Sequence, residues 1–302
     1  MNGMTDAPRT AASRARYFKP AALLLALILG HLFISLAQAQ TGLKIQLVSE
    51  TTAIVPGQPF YLGLYIQHEP GYHTYWRQPG IVGVPTTMKW KLPDGFKAGP
   101  LEYPEPEATM MFQIKAQGYE RDLLLQTKIT PPAALQEGDT VTLTGTASWM
   151  CCGRTCHPGV KDLEITLPVA AKASLNSQWQ PLFEKERAAF AHPTEAWVAS
   201  AKENGLDVTV TLTPNSDQAR RFSDSAEAKR VLFFTEDGWI NSDEPQQMIL
   251  QPDGSLVLKL RRAEVFLGNQ VPDRLLGVVQ RQGGWLTGGG LRSMIIAPTL
   301  RR

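Results

Sequence analysis

Cysteine is scarce in this chain: there are 3 in 302 residues, and all lie between residues 151 and 156. No Cys-x-x-Cys occurs, so a thioredoxin-like redox unit is excluded from this sequence. Histidine is almost as rare, and His68, His73 and His192 fall at no metal-ligand spacing. Gly288-Gly289-Gly290 lacks the following Lys-Ser/Thr of a phosphate loop and reads as a turn. Beyond Ala21–Ala37 no apolar run approaches the roughly 20 residues that a spanning helix needs. Excess charge is missing too. The whole chain is at +2, and residues 1–39 carry Arg9, Arg14, Arg16 and Lys19 against Asp6. The remainder is therefore near −1, which argues against nucleic acid as a partner. No pattern calls for a cofactor.

Residues 1–39 read as an export signal: cations, then the apolar run, then Ala37-Gln38-Ala39 for cleavage before Gln40. The expected location is the periplasm, where disulfides persist, with no membrane span once the leader is cut.

All the chemistry is concentrated in Met150-Cys151-Cys152-Gly153-Arg154-Thr155-Cys156-His157-Pro158-Gly159. Upstream, Val141, Leu143, Gly145, Ala147 and Trp149 alternate with Thr142, Thr144, Thr146, Ser148 and Met150, the period of a half-buried strand. Downstream, Leu163, Ile165 and Leu167 alternate with Asp162, Glu164 and Thr166 in the same way. The alternation puts Cys151 on the apolar face and Cys152 on the polar one. Cys152 and Cys156 then face each other across Gly153-Arg154-Thr155, with glycine taking an awkward backbone angle. Facing antiparallel residues have Cα atoms about 4.5–5.5 Å apart, which a disulfide accepts. A Cys151–Cys152 bond would twist the peptide between them. The expected bridge is Cys152–Cys156. Arg154 favours a thiolate beside it. So short a loop removes little chain entropy, which favours a reactive bond over an inert staple.

Trp149, Cys152, Cys156, Pro158 and Gly159, as Trp-x-x-Cys-x-x-x-Cys-x-Pro-Gly, resemble the redox motif of the DsbD-type N-terminal domain family, which includes the periplasmic part of suppressor-of-copper-sensitivity protein B. Two further blocks agree: His73-Thr74-Tyr75-Trp76-Arg77-Gln78-Pro79-Gly80 with Gly83-Val84-Pro85-Thr86-Thr87, Trp90 and Leu92–Phe96, and Gly118-Tyr119-Glu120 before Leu123-Leu124-Leu125. The resemblance spans about Leu43 to Val169. It implies an immunoglobulin-like sandwich whose Cys152/Cys156 pair passes electrons between a membrane-embedded thiol transporter and periplasmic thioredoxin-like or disulfide isomerase proteins. Cys151 is outside the family pattern.

The fold expected is all-β: a redox domain over 40–172, then a second β-rich domain over 173–302, joined by a short helix. Leu43, Ile45 and Leu47 mark one strand and Phe60, Leu62, Leu64 and Ile66 the next, across Pro56-Gly57-Gln58-Pro59. Trp179, Leu182, Phe183 and Phe190 recur at helical spacing, stopped by Pro193. Leu206–Leu212, Val231–Phe234, Leu256–Leu260 and Ser293–Ala297 read as strands of the second domain, which has no catalytic constellation. The carboxylates of Glu102–Glu107 sit among prolines as a solvated loop. Tyr75 and Trp76 either cap the sandwich or shield the cysteines. Met110-Met111-Phe112 is a cap loop over the disulfide, a docking surface or a buried strand end.

Three functions remain. The first is a thiol:disulfide oxidoreductase with Cys152 and Cys156 reacting, supported by Arg154, Trp149, His157 and Pro158. The second is Cu(I) binding by Cys151, Cys152 and Cys156, since soft thiolates select that ion. The third is an adaptor with an inert disulfide. A reduction potential well below about −300 mV would mark the bridge as structural.

Overall fold

The computed structural model describes Gly3 and residues 42–302 except 267 and 269, so the expected leader lies outside the described residues. Thr41–Arg302 forms one compact unit. Its first ten strands are β1 (Leu43–Ser49), β2 (Phe60–His68), β3 (Thr74–Tyr75), β4 (Thr87–Lys91), β5 (Lys97–Glu102), β6 (Glu107–Met111), β7 (Ile114–Tyr119), β8 (Leu123–Thr130), β9 (Thr140–Cys152) and β10 (Cys156–Pro168). They build a four-stranded sheet β1-β2-β8-β5, facing a three-stranded sheet β10-β9-β4, with the small sheet β3-β7-β6 beside them.

The alternations in the sequence become the core of an immunoglobulin-like sandwich. Leu43, Ile45, Leu47, Leu64, Ile66, Leu123 and Leu125 from one sheet pack against Ala147, Trp149, Cys151 and Leu163 from the other. Leu62, Ile129, Leu143 and Leu167 continue it toward the far end. Each such large side chain gains about 1.5–3 kcal/mol on burial.

Helix α1 (Gln180–Ala188) covers the outer face of the four-stranded sheet: Phe183 packs on Val48 and Leu124. The Leu123–Thr127 stretch of β8 is therefore buried on both faces. The helix begins with proline in its first turn and ends before Phe190, five residues ahead of Pro193. Proline is thus not what stops it. The Ala189 carbonyl instead accepts the Glu105 N–H, which ties the helix end to the sandwich.

The second part contains β11 (Trp197–Asn204), β12 (Asp207–Pro214), α2 (Ser225–Ala228), β13 (Leu232–Thr235), β14 (Gln247–Leu250), β15 (Leu256–Arg261), β16 (Gly277–Gln280), β17 (Ser293–Ile296) and β18 (Leu300–Arg301). A five-stranded sheet β14-β15-β12-β11-β18 and a three-stranded sheet β13-β16-β17 enclose Val208, Val210, Leu212, Leu256, Leu258, Val279 and Trp285. The whole is all-β with short helices, as expected.

The second part is fastened to the first. Phe234 and Val278 enter the sandwich core. The buried Gln117 amide on β7 accepts the Thr235 N–H at 2.8 Å and donates to the Thr235 carbonyl at 2.9 Å. These bonds satisfy edge groups of β13 that would otherwise be left unpaired.

The segment expected to be a solvated acidic loop is not one. Glu105 is buried, accepting from Ser293 Oγ at 2.5 Å and facing Arg292 at 3.2 Å, while Glu107 opens β6 and pairs with Arg121 at 2.8 Å. The prolines bend the chain against the second part, and partners distant in sequence satisfy the carboxylates.

Candidate functional site: the cysteine hairpin

β9 and β10 pair antiparallel with Cys156 opposite Cys152, His157 opposite Cys151 and Gly159 opposite Trp149. Cys152 and Cys156 are joined in a disulfide, with Cα atoms 4.1 Å apart. Gly153 does not have the left-handed backbone expected of it. Its role is space, because a Cβ there would lie 2.9 Å from the Gly71 carbonyl and about 3 Å from the Tyr72 ring. Gly159 serves the same purpose. The Trp149 indole lies across it, 2.3 Å from where a Cβ would stand, which gives the Trp-x-x-Cys-x-x-x-Cys-x-Pro-Gly spacing a packing reason.

The two adjacent cysteines are separated by the sheet. Cys151 faces the main core with Trp76, Trp149 and Tyr119. Burial, aided by the Glu69 carboxylate, pushes its thiol up to about 12. Cys152 lies in another cluster, with Tyr75 and Ala116 and with half-buried Val82, Met111, Met150 and Cys156 around it. The face expected to be polar is therefore covered at this end of the strand, and Cys152 is only 1% exposed. The cover arrives because His73, just before β3, exchanges two 2.9 Å backbone hydrogen bonds with Cys152. That pairing extends the sheet by one residue and brings Tyr75 over the sulfur.

Cys156 is half-buried, so the two bonded residues differ in exposure. Arg154 is exposed at the hairpin tip and makes no ion pair among the described residues. His157 Nε2 is 2.7 Å from Thr155 Oγ1, and its ring lies 6.1 Å from that of Tyr72. Pro158 is exposed beside it. His73 Nε2 is 3.2 Å from the Tyr75 hydroxyl. Burial, then the neighbouring His68, lowers the His73 pKa. Burial, then Cys151, raises that of Tyr75 to about 12.

Of the candidate shielding residues, the structure brings Tyr75 to Cys152 but not Trp76, which packs on the Cys151 side. Phe112 is 63% exposed at the β6–β7 turn with φ of 57°, and its neighbour Met111 packs against the cysteine cluster instead. Val82 and Ala116 carry no sequence signal for this site, whereas Met150 shares the strand face of Cys152. The three cysteines do not converge: Cys151 belongs to a different cluster, and no group of three metal-ligating side chains occurs among the described residues. No helix among them is long and apolar enough to cross a membrane.

Residues 44–168 match the family model described as thiol:disulfide interchange protein DsbD, N-terminal. The cysteine hairpin lies within the segment that is similar to a DsbD N-terminal domain. Among solved structures, the N-terminal periplasmic domain of ScsB from Proteus mirabilis shares the fold. It is 15% identical, covers 87% of this chain and 96% of its own length, and has a TM-score of 0.58. That coverage extends past the DsbD-type segment, so the shared architecture includes strands of the second part. A protein of unknown function from Porphyromonas gingivalis aligns over 86% of this chain and all of its own, at 11% identity, but its TM-score of 0.24 carries no weight. No curated protein matches the chain.

Proposed function

We propose that this chain is a periplasmic thiol:disulfide interchange module, with residues 1–39 as its export signal, 40–172 as the redox domain and 173–302 as a second β-rich domain. The observation that carries the reading is the unequal burial of the two bonded residues: a half-buried Cys156 joined to a sealed Cys152. An incoming thiolate reaches Cys156 first. Its attack on Cys156 Sγ breaks the S–S bond, and the electron pair leaves on Cys152 Sγ, producing a mixed disulfide. A second thiolate of the partner then attacks its own sulfur in that mixed disulfide and releases Cys156. The partner ends oxidised, and this chain ends with two thiols. The reverse sequence delivers the electrons onward.

Arg154 supports the thiolate form of the neighbouring sulfur by its charge. The donor would be a membrane-embedded thiol electron transporter and the acceptors periplasmic thioredoxin-like or disulfide isomerase proteins. Exposed Ile81, Val84, Met110 and Phe112, on the segments that border the cysteine cluster, offer such partners an apolar rim.

Trapping tests this. Cys152→Ser keeps Cys156 as a lone nucleophile and should capture a thioredoxin-like partner as a stable mixed disulfide. Cys156→Ser should capture far less, because its remaining thiol is sealed, and both variants should lose exchange. Absence of any adduct, with an oxidised bridge that no thiol partner reduces, would overturn the proposal in favour of an inert bridge.

A further inference from the structure

The cover over Cys152 has two walls, and both are tied to one short segment of the second part. One wall is the loop after Gly80, whose Val82 packs on the cysteine cluster; the other is the β6–β7 hairpin, whose Met111 and Ala116 do the same. Ser242 Oγ accepts the Ile81 N–H at 3.1 Å and donates to the Lys115 carbonyl at 3.0 Å, so a single hydroxyl bridges both walls. Asp243 Oδ1 accepts the Lys115 N–H at 2.9 Å, and the Asp243 carbonyl lies 3.4 Å from Lys115 Nζ. The segment is itself braced: Asn241 donates its N–H to the Arg261 carbonyl at 2.9 Å, and its Oδ1 accepts the Asp243 N–H at 2.9 Å. Thr235 fixes the same hairpin one turn of the strand away through Gln117.

We infer that Ser242 and Asp243 are positioning residues of the thiol-exchange site, a latch by which the second part holds both walls closed over Cys152. The inference rests on the exchange reading above. Cys152 is the sulfur that must become a free thiolate and later attack again, yet Tyr75, Val82, Ala116 and Met111 seal it. Access therefore needs one wall to move. The backbone of β9 cannot supply that motion, because it is paired on both sides by β10 and β4 and, at Cys152, by His73. The wall contacts made by Ser242 and Asp243 are exposed side-chain bonds of the kind that break at low cost. A partner that displaces the Ser242–Asp243 segment, or competes for the Lys115 and Ile81 backbone groups, would open the site.

The test uses the full chain after reduction, with iodoacetamide as probe and each cysteine followed separately by peptide mass. Ser242→Ala and Asp243→Ala should speed alkylation of Cys152 about tenfold, the factor expected from losing one or two hydrogen bonds. Asp243→Asn, which retains an acceptor oxygen, should behave as the native protein does. Cys151, on the other side of the sheet, is the internal control and should keep its native rate throughout. Native Cys152 rates in both alanine variants would overturn the latch. So would acceleration of Cys151 in step with Cys152, since that would mean general loosening. Alkylation reads access and needs no partner. A protein whose disulfide exchanges with nothing, but whose Cys152 responds to these changes, would sink the relay and leave the latch standing.

Discussion

Reducing the Cys152–Cys156 bond should leave the protein folded at a modest cost, and the size of that cost can be worked from the hairpin. The bridge closes a loop of only five residues, with a sequence separation of 4. Loop-closure entropy for so short a ring amounts to about 2 kcal/mol, against about 4.7 for a hundred-residue loop. Even that is an upper figure here. β9 and β10 are paired along thirteen residues each, so the ladder holds Cys152 opposite Cys156 without help from the sulfurs. For a unit of this size about 2 kcal/mol corresponds to about 4–8 °C in Tm. The assay is urea and thermal unfolding of the oxidised protein, the dithiothreitol-reduced protein and the Cys152→Ser/Cys156→Ser double variant. All three should unfold cooperatively with similar slopes, the last two shifted together. A loss above about 4 kcal/mol, or loss of a single transition, would mark the bridge as structural.

Two other outcomes follow from buried or paired groups. Cys151, raised to about 12 against an ordinary 9.0, should be alkylated about a thousandfold more slowly than an ordinary thiol at pH 8, its rate climbing with pH. A competitive Cu(I) titration in which Cys151→Ser weakens binding as much as Cys152→Ser would instead favour the copper reading. For Glu227, burial pushes the carboxyl up, but hydrogen bonds from the Ser223 N–H, Arg220 and Arg281 prevail and hold it at about 2. Its folded pKa lies below the ordinary 4.5. The stabilisation is therefore complete above that value and fades as pH falls toward 2. Glu227→Gln should lower Tm at pH 7, and the gap should shrink in acid.

Much of this was legible from residue order, because it depended on local periodicity. The two-residue alternation from Val141 to Trp149 and from Asp162 to Leu167 defined the strands, and the three-residue spacer defined their register. From these, the Cys152–Cys156 pairing and the inward face of Cys151 followed without a third dimension. The helical spacing of Trp179, Leu182 and Phe183 locates α1, but the helix ends at Ala188, ahead of Phe190 and Pro193, where the Ala189 carbonyl accepts the Glu105 N–H.

Contacts between segments far apart in the chain were decided by the tertiary structure alone. Alternation shows that Cys152 points away from the core. It says nothing of what waits there, and the answer is Tyr75 from β3, Met111 from β6 and Val82 from a loop. Glu105 looked solvated among its prolines until Ser293 and Arg292, nearly two hundred residues on, were folded against it. Ser242 has no sequence signature, and its place astride both walls exists only because the second part docks on β7. Periodicity records which face of an element is buried. What buries it depends on how separate elements close over one another, and neither a single strand nor its spacing carries that information.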